Sequence, residues 1–164
     1  MTLPQYLSYV DDILAPIPAL FRLVPEDRVE WTPVPGTFTC GQLMAHIAGA
    51  VEVYANGITK GEWGFTSIRE RLVMNRHTPS VNAETAVGLL EANTKIFRER
   101  VGALSEDEFQ NGLVVSPQLG GPSPRWRVAL FFADHHLTHR AELFMYLRVL
   151  GIRVHTGTLY RAPR

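Results

Sequence analysis

The segment FFADHHLTHRAEL, residues 131–143, constrains the chain more than any other stretch. Its apolar residues recur at helical spacing, and on a helix positions i and i+4 share a face. His135 and His139 therefore look toward one spot. Phe132, Glu142, Leu143 and Tyr146 fall on the same side, so both imidazoles lie within the stripe by which such a helix buries itself. His136 is turned about 100° from His135, toward the edge of that stripe, which favours a rim position, with Arg140 further round. Polar groups withdrawn from water must be satisfied. Two arrangements would do so: a metal ion, for which neutral imidazole is a common ligand, or core histidines bonded to other side chains. The spacing resembles the zincin H-E-x-x-H, but His136 stands where the glutamate would. The missing general base argues against a zincin protease.

With 164 residues the chain can bury a sizeable core as one domain, taken as residues 3–151 followed by a tail over 152–164. Lys plus Arg equals Asp plus Glu, 16 against 16, and neither sign forms a long run. The electrostatic footprint of a nucleic-acid binder is therefore missing. The single cysteine, Cys40, excludes an internal disulfide and a cysteine-rich zinc site. The opening MTLPQYLSYVDDIL lacks the basic region of a signal peptide, and no apolar run approaches the length of a membrane span. A reducing, cytoplasmic setting fits these features.

Thr2 followed by Pro4 reads as a helix start. Apolar spacing then continues to Val24, interrupted by Pro16 and Pro18, which predicts a kinked first helix or two short ones. Residues 25–38, rich in proline around Trp31, read as a loop with one aromatic anchor. Thr39-Cys40-Gly41-Gln42 is a capping box opening a helix with Leu43, His46, Ile47, Ala50, Val53 and Tyr54 on one face. Residues 57–81 show no sustained pattern beyond a turn at 66–74. A connection of that length allows the second and third main helices to run parallel. His77 falls in it and is expected to be exposed. Asn82 caps a third long helix, Ser105-x-x-Glu108 opens a short one, and 111–124 is a loop with an extended Leu-Val-Val piece. The last long helix runs from about 123–125 to Leu150 and is stopped by Gly151. The tail, with His155, Arg153, Arg161 and Arg164, is expected to be partly ordered at most. The fold class that follows is an all-α four-helix bundle with a long crossover between helices two and three.

His46 on the second main helix and the His135/His139 pair on the last now stand as one constellation. In a four-helix bundle, ligands for a core metal come from facing helices in this way. Three imidazoles leave a fourth position open, as in catalytic rather than structural sites. Water bound there becomes a usable nucleophile near neutral pH.

On TCGQLMAH (residues 39–46), HHLTHRAEL (135–143) and Trp31-Thr32-Pro33, the chain resembles the DinB/YfiT-like family of metal-dependent enzymes over roughly residues 3–151. The resemblance implies a divalent metal, zinc, nickel or iron, on His46, His135 and His139. It also implies a small-molecule substrate, often a homodimer, and in some members transfer of a low-molecular-weight thiol. Thiol-dependent maleylpyruvate isomerases share the fold. Where family members often carry Gly-Gln after His-Arg, this chain has Ala141-Glu142. Glu142 would be an acceptor that orients an imidazole, a general base for bound water, or the partner of a nearby arginine. Cys40, in a first helical turn where a thiol pKa can fall, reads instead as a buried small residue. The expected function is a hydrolase or thiol transferase. The alternative is a non-catalytic metal- or small-molecule-binding stress-response module.

Overall fold

In the computed structural model, which describes residues 1–160, the proline pair at 16 and 18 splits the first segment into α1 (Leu3–Leu14) and α2 (Ile17–Arg22). Thr2 and Gln5 cap α1 reciprocally. A short 3-10 turn at Glu26–Arg28 leads to Thr39, which with Gln42 forms the capping box of α3 (Cys40–Lys60). The crossover carries α4 (Ile68–Arg76), where the sequence pattern suggested only a turn. Asn82 caps α5 (Ala83–Gly102), and the Ser105/Glu108 box opens α6 (Glu106–Asn111). β1 (Leu113–Ser116) pairs antiparallel with β2 (Gly121–Pro124), in register Val114 to Ser123. α7 spans Arg125–Val149, with Gly151 just beyond it at φ 78°. A left-handed residue there is what glycine adopts without a steric penalty.

Contacts along the helices set their sense. Asp11 pairs with Arg98 and Arg22 with Glu84, so α1–α2 run antiparallel to α5. Asn93 donates to the Ala48 carbonyl and Arg100 to Asn56, so α3 and α5 are parallel. Arg125 reaches the Ile58 carbonyl while Tyr146 reaches the Phe38 carbonyl, so α7 is antiparallel to α3. The result is an up-down-down-up four-helix bundle, with the long crossover between α3 and α5 that parallel neighbours require. Among the described residues no helix is long and apolar enough to cross a membrane.

The aromatic core joins Tyr6, Phe97, Phe109 and Phe132, with Phe97 and Phe132 ring centroids 4.5 Å apart. Burying each such ring stabilises the fold by about 1.5–3 kcal/mol. The Tyr6 hydroxyl, deep in this core, donates to the Ala129 carbonyl at 3.0 Å. Close approach also fixes the start of the crossover. Trp63 lies against α3 at Gly57, where an added Cβ would fall 2.5 Å from the indole. The Trp63 indole N–H donates to Val115 at 2.8 Å, tying the hairpin to the same spot.

α7 corrects the sequence expectation about His136. The buried side of this helix is wider than one stripe, taking in Ala129, Phe132, Ala133, His136, Arg140, Leu143 and Leu147. His136 is fully buried rather than at a rim. Its Nδ1 lies 2.9 Å from the Phe132 carbonyl and its Nε2 3.2 Å from that of Ile47 on α3. Burial lowers its pKa to about 4, against the opposing pull of those two carbonyls. A neutral ring has a single N–H, so it donates to one carbonyl at a time. Arg140, also buried, donates to the Ile13 carbonyl at 2.8 Å. Both polar side chains therefore fasten α7 to neighbouring backbone.

The tail is more structured than its composition suggested. α8 (Thr156–Tyr160) follows α7, and Ile152, Val154 and Leu159 pack partly buried on the core. Residues 161–164, which the expected tail also covered, lie outside the described residues.

Candidate metal centre

The Thr39/Gln42 box fixes where α3 begins, and so places His46 in its second turn facing α7. His135 and His139, one turn apart on α7, meet it from the antiparallel helix. The ring centroids of His46 lie 5.0 Å from His135 and 4.7 Å from His139, and those of His135 and His139 are 4.5 Å apart. One ligand atom from each of the three lies within 4.8 Å of the others. Three nitrogens around one tetrahedral ion at ordinary zinc distances are separated by about 3.4 Å. Small ring rotations bridge that difference.

The histidines of this helix are satisfied in different ways. His136 has a backbone carbonyl at each nitrogen. The Nε2 of His135, equally withdrawn from solvent, has no hydrogen-bond partner among the described residues. The alternative that His135 and His139 are core histidines bonded to other side chains thus fits His139, which meets Glu142, and fails for the Nε2 of His135. A sequestered, unpartnered imidazole nitrogen carries a desolvation cost that a bound cation would remove. The donor set fits a borderline divalent ion, since imidazole suits zinc, nickel and iron alike.

Electrostatics keep His46 and His135 neutral, as metal ligation requires. Burial first, then the neighbouring His139, Arg71 and His136, lowers the pKa of His46 to about 3. Burial and the surrounding imidazoles push His135 lower still. His139 has a different environment. Its Nδ1 is 2.7 Å from Glu142 Oε2, and the Glu142 Oε1 accepts from the Tyr146 hydroxyl at 3.2 Å. The hydrogen bond from His139 holds the Glu142 carboxyl below its ordinary pKa, against partial burial. A carboxylate accepting from Nδ1–H fixes the tautomer and leaves Nε2 with its lone pair free. Among the described residues Glu142 pairs with this histidine and with no arginine. The tyrosine is in turn set by Trp31, whose ring meets it edge-on at 5.8 Å.

The site opens into a cleft of about 480 Å³, within the range of small-molecule sites. Phe38 lies 4.9 Å from the His46 ring, and Tyr54, two turns along α3, covers His135 at 5.4 Å. The crossover helix α4 supplies Arg71, Leu72 and Asn75 to the wall. The sequence signalled Tyr54, which shares the apolar face of His46. It gave no sign of Arg71 or Asn75, because α4 has no buried stripe. Cys40 is buried and points to no part of the cleft lining, and burial lifts its pKa to about 11. His77 is exposed at the end of α4.

Comparison with known proteins agrees with this architecture. No curated protein matches the chain. A DinB-like protein of Bacillus cereus ATCC 10987 superposes with a TM-score of 0.73 at 18% identity, covering 94% of this chain and 96% of that one. The Bacillus subtilis DinB-like protein YjoA gives 0.69 at 16% identity, covering 92% and 94%. A member of the DinB family from Exiguobacterium sibiricum 255-15 gives 0.69 at 20%, covering 96% and 98%. At these identities the likeness speaks for the fold. The sequence profile of the DinB superfamily, however, matches residues 14–143 directly, a span that contains all of α3 and α7 as far as Leu143, and so all three histidines. The chain therefore belongs to the DinB superfamily.

Proposed function

We propose that the chain is a metal-dependent enzyme in which His46, His135 and His139 hold a divalent ion, zinc or nickel, with iron as the other candidate. The reaction is hydrolysis or transfer of a low-molecular-weight thiol. The observation that carries this reading is the buried Nε2 of His135, which no group among the described residues satisfies. When bound, the ion supplies Lewis acidity and an open position at which water or a thiol loses its proton readily.

The chain's own residues do the rest. Glu142 holds the Nδ1 proton of His139 and thereby fixes the ring that faces the other two. Tyr146 donates to the second carboxylate oxygen and keeps that group in place. Phe38, Tyr54 and Phe131 exclude water from one side of the cleft, which strengthens electrostatic interactions inside it. Three ligands rather than four favour chemistry over a structural role. The homodimer implied by the family resemblance belongs to the same proposal.

The test is metal content by plasma mass spectrometry on tag-free protein, alongside His46→Ala, His135→Ala and His139→Ala. Near-stoichiometric metal in the wild type, lost in each variant, is the expected result. An empty wild type after reconstitution with zinc, nickel and iron would overturn the proposal. Chelation then separates enzyme from binding module: it abolishes turnover in the first and only lowers stability in the second.

A further inference from the structure

Among the described residues Arg71 is the one Lys or Arg in the wall of the metal-centre cleft. It stands on α4, half-buried, with its guanidinium carbon 5.5 Å from the Phe65 ring centroid. Among the described residues no carboxylate forms an ion pair with it. Glu70, its neighbour, is committed to the backbone and hydroxyl of Thr66. The cleft's own acid, Asp134, is exposed and forms no ion pair with it either. One turn along α4, the Asn75 side-chain oxygen is shielded from solvent and has no hydrogen-bond partner among the described residues. Arg71 and Asn75 are i and i+4, so both face the cleft together. A partly desolvated guanidinium without a counter-charge is costly, and a planar carboxylate is its natural complement.

We propose that the substrate or co-substrate is a small carboxylate, its carboxyl group held by Arg71 and its other end, a thiol or similar donor, directed at the three imidazoles. This rests on the metal reading above and adds the substrate class to it. A single guanidinium beside an unpaired amide oxygen suits a monoanionic carboxylate that also carries an N–H or O–H donor. A phosphate would call for further cations or a cluster of backbone amides, and among the described residues Arg71 is the one Lys or Arg in this wall.

The test uses cobalt-loaded protein, because thiolate ligation changes the visible spectrum of cobalt(II). The probes are 3-mercaptopropionate and 2-mercaptoethanol, which differ in the carboxylate. Wild type should bind the first at least about tenfold more tightly, the factor expected of one charge-assisted pair. Arg71→Gln should erase that preference while leaving cobalt content and 2-mercaptoethanol affinity unchanged, and Arg71→Lys should retain part of it. An equal preference in Arg71→Gln and wild type, or none in wild type, would overturn the inference. Protein that takes up no cobalt would sink the metal reading instead. Benzoate against benzamide, titrated by NMR into metal-free protein, then decides Arg71 alone: preference for benzoate lost in Arg71→Gln upholds it, and no preference refutes it.

Discussion

His135 and His136 are adjacent, yet each has its own task, and the difference lies in what meets their nitrogens. His136 faces a carbonyl at each nitrogen and donates to one of them, whereas the Nε2 of His135 has no partner among the described residues. Glu142 belongs to the same logic at one remove, since it governs which nitrogen of His139 carries the proton. Replacing Glu142 by alanine should therefore lower metal affinity by about 10–100-fold with little change in the far-ultraviolet circular dichroism. Competition with a chromophoric chelator measures it, and unchanged affinity would make the carboxylate a bystander. Sequence spacing was sufficient to bring His46, His135 and His139 together as candidates. It misplaced His136, because an angular stripe assumes one buried side, whereas α7 packs against α1 through Arg140 and against α3 through His136.

At the scale of elements, the caps were the most readable features. Thr39/Gln42, Asn82, Ser105/Glu108 and Gly151 mark helix ends through local chemistry that tertiary packing does not alter. Two elements were not readable. β2 is Gly-Pro-Ser-Pro, a composition depleted in strands, and it forms only because β1 offers an edge beside it. From the sequence α4 reads as a turn, and in the fold Leu72, Val73 and Met74 are all exposed, so the helix buries no apolar stripe. A helix with no buried residue draws little stability from packing. Its amides should exchange with solvent far faster than those of α3 or α5, by mass-spectrometric hydrogen exchange on metal-free protein. Protection in α4 equal to that in α3 would show that something else holds it.

For the whole molecule, three imidazoles with lowered pKa values tie stability to pH. His46 and His136 are held to about 3 and about 4 in the folded state, and His135 is lowered as well. In the unfolded chain all three titrate near the ordinary histidine value of about 6.5. Between these limits the unfolded state binds more protons, so stability rises with pH. The metal-free protein should hold its full stability above about pH 6.5 and lose about 1.4 kcal/mol per pH unit for each such imidazole below it. Urea midpoints at pH 7, 6 and 5 in the presence of a chelator measure the slope. A flat profile would mean that the rings titrate as if exposed.

The division of labour on α7 has a further consequence, for how such a chain can change. The ties that hold the bundle, from Tyr6, Asn93, His136 and Arg140, reach backbone carbonyls and avoid the cleft. The outer part of the cleft wall that α3 and α7 do not supply, by contrast, draws on α4 and on Gln118 in the hairpin turn, segments that bury little. Mutations that alter what the cleft admits can thus accumulate at small cost in stability, below the threshold at which selection removes them. A scaffold divided in this way is evolvable: its chemistry can be retargeted through the crossover while the bundle stays as it is.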